Sequence, residues 1–258
     1  ARQAVVMRRR LGRELERDRV EKPRFPWQMK LDFPDTPNSG QDVLRLEELS
    51  AGYQGVPLFR NVSEVLRAGE RVALVGSNGA GKTTLLRVIT GQLAPLSGSV
   101  RLGVGVRPGY LSQDQTDLHP ASNALETIRA VATMDETEAR TFLHLFLFSG
   151  DDVFVPVRDL SFGERARLAL ARLVAQGCNL LLLDEPINHL DIPSRNQFEQ
   201  AMASFEGTVL AVVHDRYFVR QFATRIWLLK DGVLRSRFEL EETRKNEVPP
   251  LPPNWPQP

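Results

Sequence analysis

The sequence predicts an α/β fold built around a mostly parallel sheet, on three observations. The apolar runs Leu180 to Leu183 and Val209 to Val213 suit strands buried on both faces of a parallel sheet. A third candidate strand, Arg71 to Val75, runs straight into a glycine-rich turn and then a helix, Lys82 to Thr90. The composition, 42% hydrophobic and 25% charged over 258 residues, is that of a globular chain with room for a sizeable core.

In chain order, Val5 to Val20 is arginine-rich and places Met7, Leu11 and Leu15 four apart, which predicts a basic helix with a narrow apolar stripe. It ends before Pro23. Residues 23 to 41 carry Pro23, Pro26, Pro34, Pro37 and Gly40 and are expected to be an extended linker. A new domain should begin near Asp42, with short strands at Val43 to Leu49, Val56 to Val62 and Arg71 to Val75. Ser122 to Phe148 is helix-like, and Glu164 to Ala175 is a strong helix candidate. After Leu240 the chain becomes charged, and six prolines in residues 249 to 258 predict an extended tail. The expected organisation is therefore 1–41 basic helix and linker, 42–240 folded domain, and 241–258 tail, with no internal repeat.

Composition excludes several classes. One cysteine, Cys178, leaves no internal disulfide framework and favours a reducing cytoplasm. No apolar run approaches the roughly 18 residues of a membrane helix, and the arginine-rich start has no apolar stretch of a signal peptide behind it. The net charge of +1 conceals an asymmetry: residues 1 to 24 hold nine basic side chains against four acidic ones, leaving 24 against 28 for the rest. Attraction for polyanions should concentrate at that end.

The strongest local signal is Gly76-Ser77-Asn78-Gly79-Ala80-Gly81-Lys82-Thr83, which fits G-x-x-x-x-G-K-[ST] with a strand before it and a helix after. Its glycines let the backbone curl so that successive amides face phosphate oxygens, and the helix N-terminus adds its positive dipole end. Lys82 is expected to reach the β and γ phosphates, Thr83 to ligate Mg²⁺, and Thr84 to serve the α phosphate. A second element is Leu180-Leu-Leu-Leu-Asp184-Glu185-Pro186, a hydrophobic strand delivering two carboxylates to its end. Asp184 would hold Mg²⁺ through its water shell, and Glu185 would polarise an attacking water as general base. Two acids at a strand end are also a common structural feature, so the phosphate loop upstream is what gives them weight.

The third element, Leu160-Ser161-Phe162-Gly163-Glu164, opens the helix Glu164 to Ala175 about twenty residues before Asp184. By itself Ser-x-Gly-Glu suits a helix cap. Together, these motifs resemble an ATP-binding cassette domain, whose Leu-Ser-Gly-Gly-Gln (or Glu) signature sits in that place. The resemblance covers roughly residues 43 to 235. It implies a phosphate-loop (P-loop) core with an antiparallel β portion around Tyr53 and a small helical subdomain between Gln113 and Ser161. It also implies ATP and Mg²⁺ as cofactors, and a head-to-tail pair in which Ser161 and Gly163 serve the nucleotide of the opposing cassette.

Other positions take roles from the same resemblance. Tyr53 would stack on adenine, Gln113 would sense Mg²⁺ and the attacking water, and Asn188-His-Leu-Asp191 would form the loop crossing the pair's interface. His214 would hold the γ phosphate. Each has a plainer alternative: a partly exposed strand aromatic, a solvated loop amide, a satisfied strand-end histidine.

Asn188-His-Leu-Asp191 and His214-Asp-Arg-Tyr-Phe218 are similar to the ABC-F class, two-cassette soluble proteins that act on the ribosome. The arginine helix resembles the end of their interdomain linker, so the chain looks like that linker end plus the second cassette. This implies RNA contact by Arg8, Arg9, Arg10, Arg13 and Arg17, with a role in translation or in antibiotic protection of ribosomes. The rivals are the energising subunit of a membrane transporter and a degenerate cassette that binds ATP without turnover. Two departures bear on the last: Phe162 replaces the first glycine of the signature pair, and Ile187 replaces the usual threonine before Asn188.

Overall fold

The computed structural model describes residues 42–238 except 114–117, 189 and 204. The expected basic helix, the linker and the tail beyond residue 238 lie outside the described residues. Chain order begins with strands β1 (Asp42–Tyr53), β2 (Val56–Arg67) and β3 (Arg71–Val75), followed by helix α1 (Lys82–Ile89) and strands β4 (Ser97–Leu102) and β5 (Pro108–Leu111). Helices α2 (Ala124–Arg129) and α3 (Glu136–His144) come next, then two 3₁₀ turns, Gly150–Phe154 and Val157–Asp159, and helix α4 (Phe162–Ala175). The remainder is β6 (Leu180–Asp184), α5 (Ile192–Ala203), β7 (Thr208–Val212), α6 (Arg216–Phe222), β8 (Arg225–Lys230) and β9 (Val233–Phe238).

The strands form two sheets. A three-stranded antiparallel sheet has the order β2-β1-β4, and a six-stranded sheet has the order β5-β6-β7-β3-β8-β9. In the larger sheet only the β8–β9 pair is antiparallel. Every residue of β6 and of β7 is buried, as expected of strands covered on both faces. Leu180, Leu182, Leu210 and Val212 pack with Trp227, Leu74, Leu85 and Phe59 in one core cluster. At roughly 1.5–3 kcal/mol for each large apolar side chain removed from water, this cluster holds the strand ends rigidly where the functional loops leave them.

Within the described residues the expected strands and helices are present, with differences that have physical causes. β1 and β2 are each 12 residues long, longer than the alternation of the sequence suggests, because register shifts absorb extra residues between Leu46 and Leu49. Glu48, at positive φ 46°, sits in that irregularity. The segment Ser122–Phe148 is two helices and not one. Two capping boxes start them: Asn123 and Glu126 exchange side-chain to backbone bonds at α2, and Asp135 and Glu138 do the same at α3. Strands β4, β5, β8 and β9 and helices α5 and α6 go beyond the expected elements.

Candidate functional site

Four sequence motifs leave the parallel sheet at neighbouring strand ends. Register aligns them: Asp184 lies opposite Val212, and Val212 opposite Leu74. The glycine-rich loop therefore follows β3, the acid pair ends β6, His214 follows β7, and Gln113 follows β5. Ligand sites of open α/β sheets form at such carboxyl ends. Gly81 closes the loop in a left-handed conformation, φ 103°, and its carbonyl accepts the Leu85 amide of α1 at 2.8 Å. The backbone there favours glycine, and an added Cβ would also be tight, 3.1 Å from Phe59 and 3.2 Å from Leu58.

Lys82 is buried, 6% exposed, and its Nζ donates to the carbonyls of Gly76 and Ser77 at 3.0 Å each. Burial pushes its ammonium pKa down, and the nearby Glu185 and Asp184 charges push it back up. The two carbonyls are neutral and do not cancel a buried positive charge; an anionic oxygen of a phosphate would. Thr83 Oγ1 donates to Asp184 Oδ1 at 3.2 Å, and Tyr110 Oη donates to Asp184 Oδ2 at 3.1 Å. Burial raises the Asp184 pKa against the lowering effect of those two bonds. Tyr110 is pushed up to about 12, by burial first and then by the Asp184 charge. Among the described residues no cluster of three or more His, Cys, Asp or Glu stands ready to hold a metal. Thr83 and Asp184 supply oxygens alone, a set suited to a hard cation such as Mg²⁺ that keeps waters and takes further oxygens from a phosphate.

Glu185 adopts φ 52°, a left-handed conformation unusual for its type. Two backbone bonds hold it there: its amide to Val212 O at 3.2 Å and the Asn188 amide to its carbonyl at 3.1 Å. Its side chain is engaged at both oxygens, Oε1 with His214 Nε2 at 2.9 Å and Oε2 by the Asn188 side-chain amide. Glu185, Asn188 and His214 are thus one hydrogen-bonded group, and strained backbone of this kind is characteristic of functional sites.

The remaining candidates are arranged around this centre. Ser161 caps α4: its Oγ accepts the Glu164 amide at 3.2 Å, and Glu164 Oε2 accepts the Ser161 amide at 2.8 Å. The plainer structural role expected for it is therefore present. Gly163 lies against α5, where an added Cβ would stand 2.7 Å from Ser194 Cβ and 3.4 Å from Leu190. Asp191 is exposed and accepts the Ser194 amide at 3.0 Å; the Ser194 hydroxyl first, and then that amide, hold its carboxyl below the usual range. Tyr53 ends β1 with its side chain 46% exposed, and its phenol receives Arg87 Nη1 at a long 3.5 Å. Gln113 is exposed just past β5 and makes no hydrogen bond to Asp184 or Glu185 among the described residues. Phe162 lies within reach of the Arg165 guanidinium, 6.0 Å from its ring, and Ile187 is buried.

Three residues not singled out as site candidates join the site. Tyr110 bonds Asp184, and Arg195 grips Asp215 through two bonds of 2.8 and 2.7 Å beside His214. Tyr110 carried a signal, since it sits three residues before Gln113 in Tyr-Leu-Ser-Gln; the Arg195–Asp215 pair spans twenty residues and carried none.

The family model described as ABC transporter matches residues 59–188. YdiF of Bacillus subtilis (strain 168) is 46% identical over 196 residues, which are 75% of this chain and 30% of that protein. ABC transporter F family member 5 of Arabidopsis thaliana is 37% identical over 236 residues, 90% of this chain and 34% of the relative. The chain spans about a third of the length of these relatives. The solved dimeric, post-hydrolysis state of an ATP-binding cassette with ADP and Pi superimposes with a TM-score of 0.64, covering 76% of this chain and 98% of that one at 24% identity. That likeness establishes the shared fold. No described helix is long and apolar enough to cross a membrane.

Proposed function

Because the chain belongs to the ABC transporter family of ATP-binding domains, we propose that it is the second cassette of an F-class protein, a cytoplasmic ATPase that works on the ribosome. The observation that carries the ATPase reading is the join at the strand ends: buried Lys82, the Thr83–Asp184 pair, and Glu185 hydrogen-bonded to His214. The F-class reading rests on relatives that bear that name and on the Asn188 to Asp191 and His214 to Phe218 runs.

In this reading the loop amides from Gly76 to Thr84, with Lys82, bind the phosphates of ATP, and Tyr53 packs on the adenine. Thr83 and Asp184, joined by Gln113, hold Mg²⁺, which when bound draws charge off the phosphate oxygens. Glu185 accepts the proton of the attacking water, and His214, whose Nε2 rests on that carboxylate here, turns its N–H to the γ phosphate when nucleotide is bound. Ser161, Gly163 and Asp191 serve the nucleotide or interface of a second cassette, so turnover needs the pair. Arg8, Arg9, Arg10, Arg13 and Arg17 contact ribosomal RNA through its phosphates.

The test is Glu185→Gln in the full-length two-cassette protein. Nucleotide affinity should stay at the parental level and single-turnover hydrolysis should slow by about 10² to 10⁴, the range of a positioned general base. Hydrolysis at the parental rate removes Glu185 from that role, and an inactive parent assigns the chain to ATP binding without turnover. With ATP trapped by the same variant, the protein should sediment with ribosomes; sedimentation with membranes instead favours a transporter subunit.

A further inference from the structure

Tyr110 stands where the sheet register brings it onto the acid pair. On β5 it lies opposite Leu182 of β6, and Asp184 is the next residue of β6 on the same face. A diagonal neighbour in adjacent strands is within reach of a long aromatic side chain, and here the phenol reaches Asp184 Oδ2 at 3.1 Å. The ring packs against the main core cluster, which a phenylalanine would do equally well. The hydroxyl is what packing does not explain.

Asp184 is 3% exposed, so each oxygen of its carboxylate needs a partner. Oδ1 has Thr83 Oγ1 at 3.2 Å. A threonine hydroxyl has one proton and two lone pairs, so Thr83 can donate to Asp184 and still offer an oxygen to a cation. Among the described residues Oδ2 has the Tyr110 hydroxyl as its hydrogen-bond partner, and without it the Thr83 bond alone orients the carboxylate. Arg87, one helical turn after Thr83 on α1, lies beside the Tyr110 hydroxyl and reaches the Tyr53 phenol at 3.5 Å. The Tyr110 hydroxyl is thereby set by a carboxylate that accepts from it, with the Arg87 charge nearby.

We propose that Tyr110 is a positioning residue for the metal: its hydroxyl pins Asp184 Oδ2 so that Oδ1 and Thr83 Oγ1 remain a pre-set oxygen pair for Mg²⁺. This rests on the ATP–Mg²⁺ reading above and adds to it a residue supplied by the strand before Gln113. Partners behind metal-binding groups orient them, and losing one typically costs about 10- to 100-fold in metal affinity. The effect should therefore fall on Mg²⁺ and spare the phosphate loop, whose contacts do not include Tyr110.

The experiment titrates a fluorescent ATP analogue into the full chain, first without Mg²⁺ and then across a Mg²⁺ series. Tyr110→Phe, Tyr110→Met and Asp184→Asn are compared in a Glu185→Gln background that prevents turnover. Both Tyr110 variants should bind nucleotide without Mg²⁺ at parental affinity, and should need about 10-fold more Mg²⁺ for half of the metal-dependent gain. Asp184→Asn should lose most of that gain. If Asp184→Asn loses it while the Tyr110 variants keep the parental Mg²⁺ response, the positioning role is overturned and the metal reading stands. If Asp184→Asn also responds like the parent, the metal reading fails and the proposal with it. Weaker binding of both Tyr110 variants already in the absence of Mg²⁺ overturns the proposal in favour of a general packing role.

Discussion

Replacing Asp215 by Asn removes one charge from the join between α5 and α6 while leaving an oxygen to cap α6. Arg195 Nη1 donates to Oδ2 at 2.8 Å and Nη2 to Oδ1 at 2.7 Å, and Oδ1 also accepts the Phe218 amide at 2.8 Å. The Arg195 guanidinium, with the helix-start amides behind it, lowers the Asp215 carboxyl from its ordinary 3.8 to about 2. At about 1.36 kcal/mol per unit, that difference corresponds to roughly 2.4 kcal/mol. Asp215 is 38% exposed on its side chain, and solvent screening reduces the figure to about 1 kcal/mol. The folded pKa lies below the unfolded one, so this contribution is complete above about pH 4 and is lost as pH falls through about 2. Arg195 also bonds Glu199 at 3.0 Å, so a double-mutant cycle of Asp215→Asn with Arg195→Met is needed to isolate the pair. Urea unfolding at pH 7 should give a coupling of about 1 kcal/mol, most of it gone at pH 2.5. A coupling below about 0.3 kcal/mol at pH 7, or one unchanged in acid, would refute the assignment, since exposed pairs can contribute nothing measurable.

Gly163→Ala should destabilise the fold by about 1–3 kcal/mol, because its Cβ would stand 2.7 Å from Ser194 Cβ; Ser194→Gly should recover part of the loss in thermal melts, and no recovery would place the clash elsewhere. Arg225→Met should cost about 3–5 kcal/mol in urea unfolding, since Arg225 is 9% exposed and bonded to Glu64, the Val65 carbonyl and Ser236. A loss under about 1 kcal/mol would mean that the strands close over the gap. Under the proposed ribosome function, deleting residues 1 to 24, which carry nine basic against four acidic side chains, should weaken RNA binding and flatten its salt dependence by about 0.7 in log–log slope for each lost phosphate contact. Equal affinity and slope would identify the arginines as a solvated face.

Several of these effects depend on where helices meet. The phenyl ring of Phe162 begins α4 where the signature expects glycine, yet Ser161 and Glu164 still form a complete capping box around it. Gly163 is the position that α5 crowds, so the second glycine of the pair is required by packing in this chain while the first is not. The same α5 carries Arg195 across to Asp215, next to His214. The signature helix, the Asp191 loop and the His214 loop are therefore mechanically linked within one chain, whatever a partner cassette adds.

Local chemistry made part of this protein legible from its residues. The phosphate loop is a contiguous run whose glycines, lysine and threonine carry their own geometry, and the buried strands β6 and β7 announce themselves as unbroken apolar runs. A helix cap such as Ser161 with Glu164 is equally short in range. What the tertiary structure decided is pairing across distance. The β5–β6 register sets Tyr110 against Asp184, and the bends that carry Glu185 into a left-handed conformation bring it to His214. Strand β5 has four residues and β8 and β9 six each, too short for their alternation to stand out from the surrounding loops. Their places follow from the core that neighbouring strands create, because a short strand is stable only where a formed sheet accepts its hydrogen bonds and covers its apolar face.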